Sequence, residues 1–214
     1  MNNKLKFINL YIKYTVGKID RDKYKNIFKF IIKLAIFLLI VAIIAHFGMK
    51  AYKHIEKEYI YPIKYSEYIE KYAEQNELDK SLVYAVVKCE SGFDSGAVSD
   101  IGAKGLMQLT DDTYEWVLSK TTKSPFYADD LLVPEKNIQA GCALLKLHLD
   151  EFSDEGCSLA AYHAGRSKVK EWLRDENYSS DGVTLTKIPY SDTASYVTKV
   201  LDTKQKYQDI YNFD

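Results

Sequence analysis

Apolar and polar positions alternate in two different ways along this chain. Residues 30–49 are apolar apart from Lys33 and His46, and 34–45 carry no polar side chain. About 20 residues rising about 1.5 Å each span a hydrocarbon layer about 30 Å thick, so the run predicts one transmembrane helix. Lys33 stands near its end, where a long side chain can reach the interface. Residues 50–65 read as a charged stalk, with Pro62 ending the helical extension. From Ser66 onward the apolar positions recur at helical intervals, for example Ile138, Cys142, Leu145, Leu149 and Phe152. The periodicity predicts helices over 67–76, 79–90, 111–120, 135–152, 158–164, 167–174 and 192–211, with Asp79 as an N-cap. Gly92, Gly96, Gly102 and Gly105 make the stretch after residue 90 a loop, and Ser179-Ser180-Asp181-Gly182 mark a turn in a second loop over 174–190.

Charge divides the chain at the apolar run. Residues 1–33 hold nine bases (Lys4, Lys6, Lys13, Lys18, Arg21, Lys23, Lys25, Lys29, Lys33) against Asp20 and Asp22, a net of +7. The whole chain carries −1, so the remainder carries −8. The positive-inside rule keeps the basic end cytoplasmic and puts the acidic part outside. A cleaved signal peptide would need a shorter leader and a small-x-small site, whereas Ala45 is preceded two positions earlier by Ile43. The expected layout is a basic cytoplasmic leader over 1–29, a signal-anchor over 30–49, a stalk over 50–65 and a folded domain over 66–214. An acidic outer domain has no footprint for nucleic acid, and the basic leader suits anionic lipid. His46, His54, His148 and His163 show no paired-ligand spacing, so no metal site is expected. Cys142 and Cys157 are spaced so that a bridge between successive helices is one option, which spacing alone does not establish. The third cysteine, Cys89, reads as a packing residue.

Glu90 is the chemical focus. Val83, Val86 and Val87 precede it by seven, four and three residues, which places all four on one helical stripe. A carboxyl aimed with an apolar face has its charged form disfavoured, and a raised pKa is what a general acid needs near neutral pH. Glycosidases ordinarily pair such an acid with a second carboxylate, and Asp94 and Asp100 are the nearest candidates. Both sit in a glycine-flanked loop where aspartate commonly closes an Asx-turn.

Four ordered blocks then point to a family. Glu90-Ser91-Gly92-Phe93 continues through Ala97-Val98-Ser99 to Gly102-Ala103-Lys104-Gly105-Leu106-Met107-Gln108. Asn137-Ile138 with Gly141 follows, then Ala160-Ala161-Tyr162-His163-Ala164-Gly165, and last Ile188-Pro189 through Tyr196-Val197. Together they resemble the lytic transglycosylases of the soluble-lytic-transglycosylase (SLT) type, relatives of goose-type lysozyme. The resemblance implies a mostly α, lysozyme-like domain with a small irregular or β-like lip, here preceded by one transmembrane helix. It implies cleavage of the bond between N-acetylmuramic acid and N-acetylglucosamine in peptidoglycan strands, without a cofactor and with Glu90 as the sole catalytic group. Ser99, Met107, Gln108, Tyr162, His163 and Asp192 fall at positions the resemblance assigns to the substrate site. The chain departs from the pattern at His163, where the family has asparagine, at Asp192, where it has glutamate, and at Leu109-Thr110, where a Met-Pro continuation is commoner. Two rivals remain at this level: a water-using muramidase of the same fold, and a non-catalytic peptidoglycan-binding scaffold. Envelope-complex proteins stand as candidate partners.

Overall fold

The computed structural model describes residues 2–15, 21–122, 125 and 127–213. Residues 16–20 of the basic leader and Asp214, the last position of the expected domain, lie outside them. The chain divides into two compact units, Met1–Glu56 and Lys57–Asp214.

The first unit holds helix α1 (Asn2–Thr15) and helix α2 (Arg21–Ile55). The apolar run lies wholly inside α2, whose described side chains are exposed from Lys23 to Ile55. Among the described residues it is the one helix long and apolar enough to cross a membrane. A five-residue π-helical turn, Glu56–Ile60, follows it.

The second unit holds helices α3 (Ser66–Gln75), α4 (Lys80–Ser91), α5 (Asp111–Lys120), α6 (Pro134–Phe152), α7 (Glu155–Ala164), α8 (Arg166–Leu173) and α9 (Ser191–Ile210), built around a main core and a smaller cluster of Leu109, Tyr114, Val117, Leu131, Ala140 and Leu144 between α5 and α6. A short 3-10 helix, Ala128–Leu132, which the periodicity does not signal, leads into α6. Four of the starts, those of α4, α5, α6 and α7, have a local cause. The Asp79 carboxylate accepts the Ser81 N–H at 2.8 Å ahead of α4, Thr110 Oγ1 accepts from Thr113 ahead of α5, and Asp154 Oδ1 accepts from Cys157 ahead of α7; such a cap contributes about 1 kcal/mol. Pro134 occupies the first position of α6, where a missing N–H costs nothing.

Helix α4 is the central rod. Its residues 81–87 are all buried, and it packs along α9 and against α3, while α6 packs on α3 and α7 and α7 in turn packs on α9. Many of the tyrosines are structural: Tyr84, Tyr207, Tyr211 and Phe213 stack in series, with Tyr61 edge-on to Tyr207. The expected stalk is therefore only partly a stalk. Tyr61, Ile63 and Tyr65 pack on the core, and the Tyr207 and Tyr211 hydroxyls donate to the carbonyls of Pro62 and Tyr61. The physical reason is the aromatic content of 57–65, which finds a partner in the last turn of α9. All three cysteines are free thiols, so the optional Cys142–Cys157 bridge is not formed.

Candidate active site

Glu90 sits in the last turn of α4, just before Gly92 ends the helix. Gly92 adopts a left-handed conformation (φ 61°) that suits glycine, and its N–H closes back on Lys88. The Glu90 side chain is partly buried, with Val86 and Val87 fully buried beneath it. Burial lifts the carboxyl from its ordinary 4.5 to about 7, against the opposing effects of the Tyr196 hydroxyl and the Lys199 charge. Tyr196 Oη donates to Glu90 Oε1 at 2.6 Å. Burial, then the Glu90 charge, pushes the Tyr162 and Tyr196 hydroxyls well above their usual value. Both phenols therefore stay protonated and serve as donors.

The lip that follows is held by hydrogen bonds rather than by a sheet. It carries two isolated bridges, Val98 to Lys104 and Lys104 to Leu109. Ser91, beside the acid, ties the helix end to the lip by donating to the Leu106 carbonyl at 2.9 Å. Asn137 on α6 is fully buried and spends its whole amide on the lip and on the 3-10 helix Ala128–Leu132. Its Oδ1 accepts the Met107 N–H at 2.7 Å, and its Nδ2 donates to the carbonyls of Lys104 and Leu131 at 2.9 and 2.8 Å. Gly105 (φ 74°) passes so close that a Cβ there would collide with the Leu131 carbonyl and the Asn137 amide.

The expected site residues separate on this frame. Ser99 closes the lip turn, its Oγ accepting the Ala103 N–H at 3.0 Å. Gln108, in a left-handed conformation, donates its amide to the carbonyls of Gly105 and Ala97 at 2.9 and 3.2 Å. Met107, expected on the cleft wall, has no exposed surface. Its side chain fills the notch left by Gly141, where any Cβ would strike it. What Met107 offers the site is its carbonyl, which accepts the Tyr162 hydroxyl at 2.7 Å. His163 stacks on Tyr196 with ring centroids 4.6 Å apart, and its Nδ1 pairs with Thr193 Oγ1 at 3.1 Å. Asp192 is exposed in the first turn of α9 and accepts the Thr193 N–H. The structure thus joins Glu90, Tyr196, His163 and Thr193 by direct contacts, while Ser99 and Gln108 brace the lip. Of the two candidate second carboxylates, both exposed, Asp94 closes an Asx-turn by accepting the Gly96 N–H at 2.9 Å.

The family model described as the transglycosylase SLT domain matches residues 67–183, more than half of the chain. The chain belongs to the SLT family. A soluble lytic murein transglycosylase of Escherichia coli K12 is 32% identical over 156 residues, covering 71% of this chain and 24% of that protein. A membrane-bound lytic murein transglycosylase C of Edwardsiella ictaluri is 27% identical over 169 residues, covering 69% of this chain and 47% of that protein. The chain thus spans about a quarter of the soluble relative and about half of the membrane-bound one. Among solved structures, an inactive mutant of the lytic transglycosylase Slt from Pseudomonas aeruginosa superposes with a TM-score of 0.61 at 28% identity, covering 70% of this chain and 25% of that one. The fold is accordingly lysozyme-like and mostly α-helical.

Beyond the matched residues, the sequence alone leaves Tyr196 without a role, although the closing motif contains it. Tyr196 is buried on α9, at 9% exposed. Only the packing of α9 across α4 turns its hydroxyl toward an acid 106 positions away. Asn137 was visible as a motif residue, but its function as the clip of the lip was not.

Proposed function

We propose that this SLT protein is a membrane-anchored lytic transglycosylase that cleaves the glycan strands of peptidoglycan at the outer face of the cytoplasmic membrane. The observation that carries the reading is a single, partly buried glutamic acid with a pKa near 7, held by a phenol at the edge of an SLT lip. At neutral pH about half of such acids keep their proton, the state required to protonate a glycosidic oxygen. In the proposed reaction Glu90 gives its proton to the oxygen bridging N-acetylmuramic acid and N-acetylglucosamine. The carboxylate so formed takes the proton from the C6 hydroxyl of the muramoyl residue as that oxygen closes on C1. The bond from C1 to the leaving oxygen breaks, the bond from C1 to O6 forms, and the proton count is unchanged. No water is consumed, because the intramolecular hydroxyl supplies the effective concentration that a positioned water would otherwise need.

Tyr196 orients the carboxyl and, by donating to it, favours the ionised form needed in the second half. Tyr162, His163, Asp192, Ser99 and Gln108 surround or shape the proposed sugar track. The acidity of the phenols excludes them as bases, since both remain protonated. Asp94 is engaged in its own turn, which favours the one-carboxylate scheme over a muramidase with an aspartate helper. Support for the anchor comes from α2, the +7 leader and the membrane-bound relative. A single span with the amino terminus inside places the SLT domain in the wall compartment.

The test is digestion of purified peptidoglycan by the full chain in detergent, followed by mass analysis. The expected ends are 1,6-anhydromuramoyl residues, one water lighter than hydrolysis products, and Glu90→Gln removes them. Ends carrying the added water identify a muramidase, absence of any cleavage by the wild-type chain identifies a scaffold, and cleavage unchanged by Glu90→Gln removes Glu90 as the acid.

A further inference from the structure

His163 stands in the last turn of α7 with its side chain exposed, and two contacts tie it to α9. Its Nδ1 lies 3.1 Å from Thr193 Oγ1, and its ring lies against that of Tyr196, with centroids 4.6 Å apart and planes 31° apart. Thr193 and Tyr196 are three residues apart in one helix, so both face the same side of α9. Tyr196 in turn donates to Glu90 Oε1 at 2.6 Å. The imidazole is thus one step removed from the acid, against the group that holds it.

What is buried fixes the direction of the Thr193 bond. Thr193 has no exposed surface, and among the described residues the His163 ring nitrogen is the one hydrogen-bond partner of its hydroxyl. A buried hydroxyl proton without an acceptor is costly, so Thr193 donates and Nδ1 accepts. The proton of the neutral ring then sits on Nε2, and the ring is pinned at one edge by a donor rooted in the first turn of α9. Pinned there, it limits the swing of the phenol about its first torsion, the motion that carries the hydroxyl off the carboxyl. Asparagine, which the family pattern has at this position, can meet Thr193 but has no ring to lay on a phenol.

Resting on the transglycosylase reading, we propose that His163 is a positioning residue of this enzyme: pinned by Thr193, its ring holds the Tyr196 phenol on the Glu90 carboxyl. It acts on the acid through Tyr196, so α7 as well as α9 sets the strength of that one hydrogen bond.

The experiment titrates Glu90 in the full chain, in detergent micelles, by NMR of isotope-labelled glutamate carboxyls, with Glu90→Gln identifying the resonance. No substrate is needed. Because the phenol favours the ionised form, loosening its bond lowers the acid dissociation constant of Glu90. The expected fall is about threefold in His163→Asn, about threefold in Thr193→Val, which keeps the ring and removes its pin, and about tenfold in Tyr196→Phe. In the Tyr196→Phe background neither of the first two changes is expected to add to the fall, because the shared route is gone. Lys199, the other group acting on Glu90, is untouched in all of them. His163 is exposed, so His163→Asn leaves the core intact and decides the matter alone where Thr193→Val fails to fold. A constant unmoved in either folded variant overturns the assignment. So does a threefold fall that persists in the Tyr196→Phe background, which means that the ring acts on Glu90 directly. Digestion of wall glycan by the same samples is read separately: coupled constants in a protein that leaves glycan uncut uphold His163 and remove the transglycosylase reading, and cut glycan with unmoved constants does the reverse.

Discussion

Two groups hold the acidity of Glu90 against burial: the Tyr196 hydroxyl at 2.6 Å and the charge of Lys199. Because the phenol favours the ionised carboxylate, Tyr196→Phe raises the Glu90 pKa further. The alkaline limb of the pH–rate profile is expected to move upward while the maximal rate falls about tenfold through lost orientation. A limb that stays in place separates Tyr196 from the acid. Glu90 also links stability to pH. Its folded value near 7 exceeds its ordinary 4.5, so the native state retains a proton that the unfolded chain releases between those values. Stability is then full below about 4.5 and declines as pH rises to about 7, by about 3 kcal/mol in all. Glu90→Gln removes that decline. Urea melts at pH 4.5 and pH 8 are expected to show the variant matching wild type at the lower pH and exceeding it by up to about 3 kcal/mol at the higher one.

At the level of elements, the site depends on α6 gripping the lip. Asn137 makes three hydrogen bonds, to Met107, Lys104 and Leu131, and those to Met107 and Leu131 are buried. Asn137→Leu strands the Met107 N–H and the Leu131 carbonyl, each costing about 1–3 kcal/mol when buried, while the Lys104 carbonyl keeps the Leu109 N–H. The denaturation midpoint is expected to drop by the equivalent of about 3 kcal/mol or more, with glycan cleavage falling alongside because the lip no longer stands over Glu90. Unchanged stability would mean the lip is held by Gly105 and Ser91 alone. Helix α9 matters in a similar way: its start carries Thr193, its second turn Tyr196, and its end the aromatic stack on Tyr61.

For the whole molecule, the compact unit begins at Lys57, nine residues before the first helix of the expected domain. Burial of Tyr61 and Ile63 and the hydrogen bonds from Tyr207 and Tyr211 join both ends of the unit. Cutting the chain at 66 in place of 57 removes one side of that clasp. With about 1.5–3 kcal/mol per large side chain buried, and about 2–4 °C of melting temperature per kcal/mol at this size, the shorter fragment is expected to melt at least about 5 °C lower. Equal melting temperatures would show that 57–65 is only a tether.

What the sequence determined by itself was everything set by local spacing. The 3.6-residue period placed α3 to α9 to within a few residues, Asp79 marked a cap, and the valines ahead of Glu90 put its carboxyl on the buried stripe. These follow from interactions within one or two turns, which a linear pattern records. The tertiary structure alone decided what each face meets. It brought Tyr196 to Glu90 from 106 positions away, turned Met107 into the notch at Gly141, left Cys142 and Cys157 apart, and set His163 against Tyr196. A helical period says which side of a helix is covered. The crossing and depth of the packed helices decide by what, and that choice turned an apolar stripe into the surroundings of an acid.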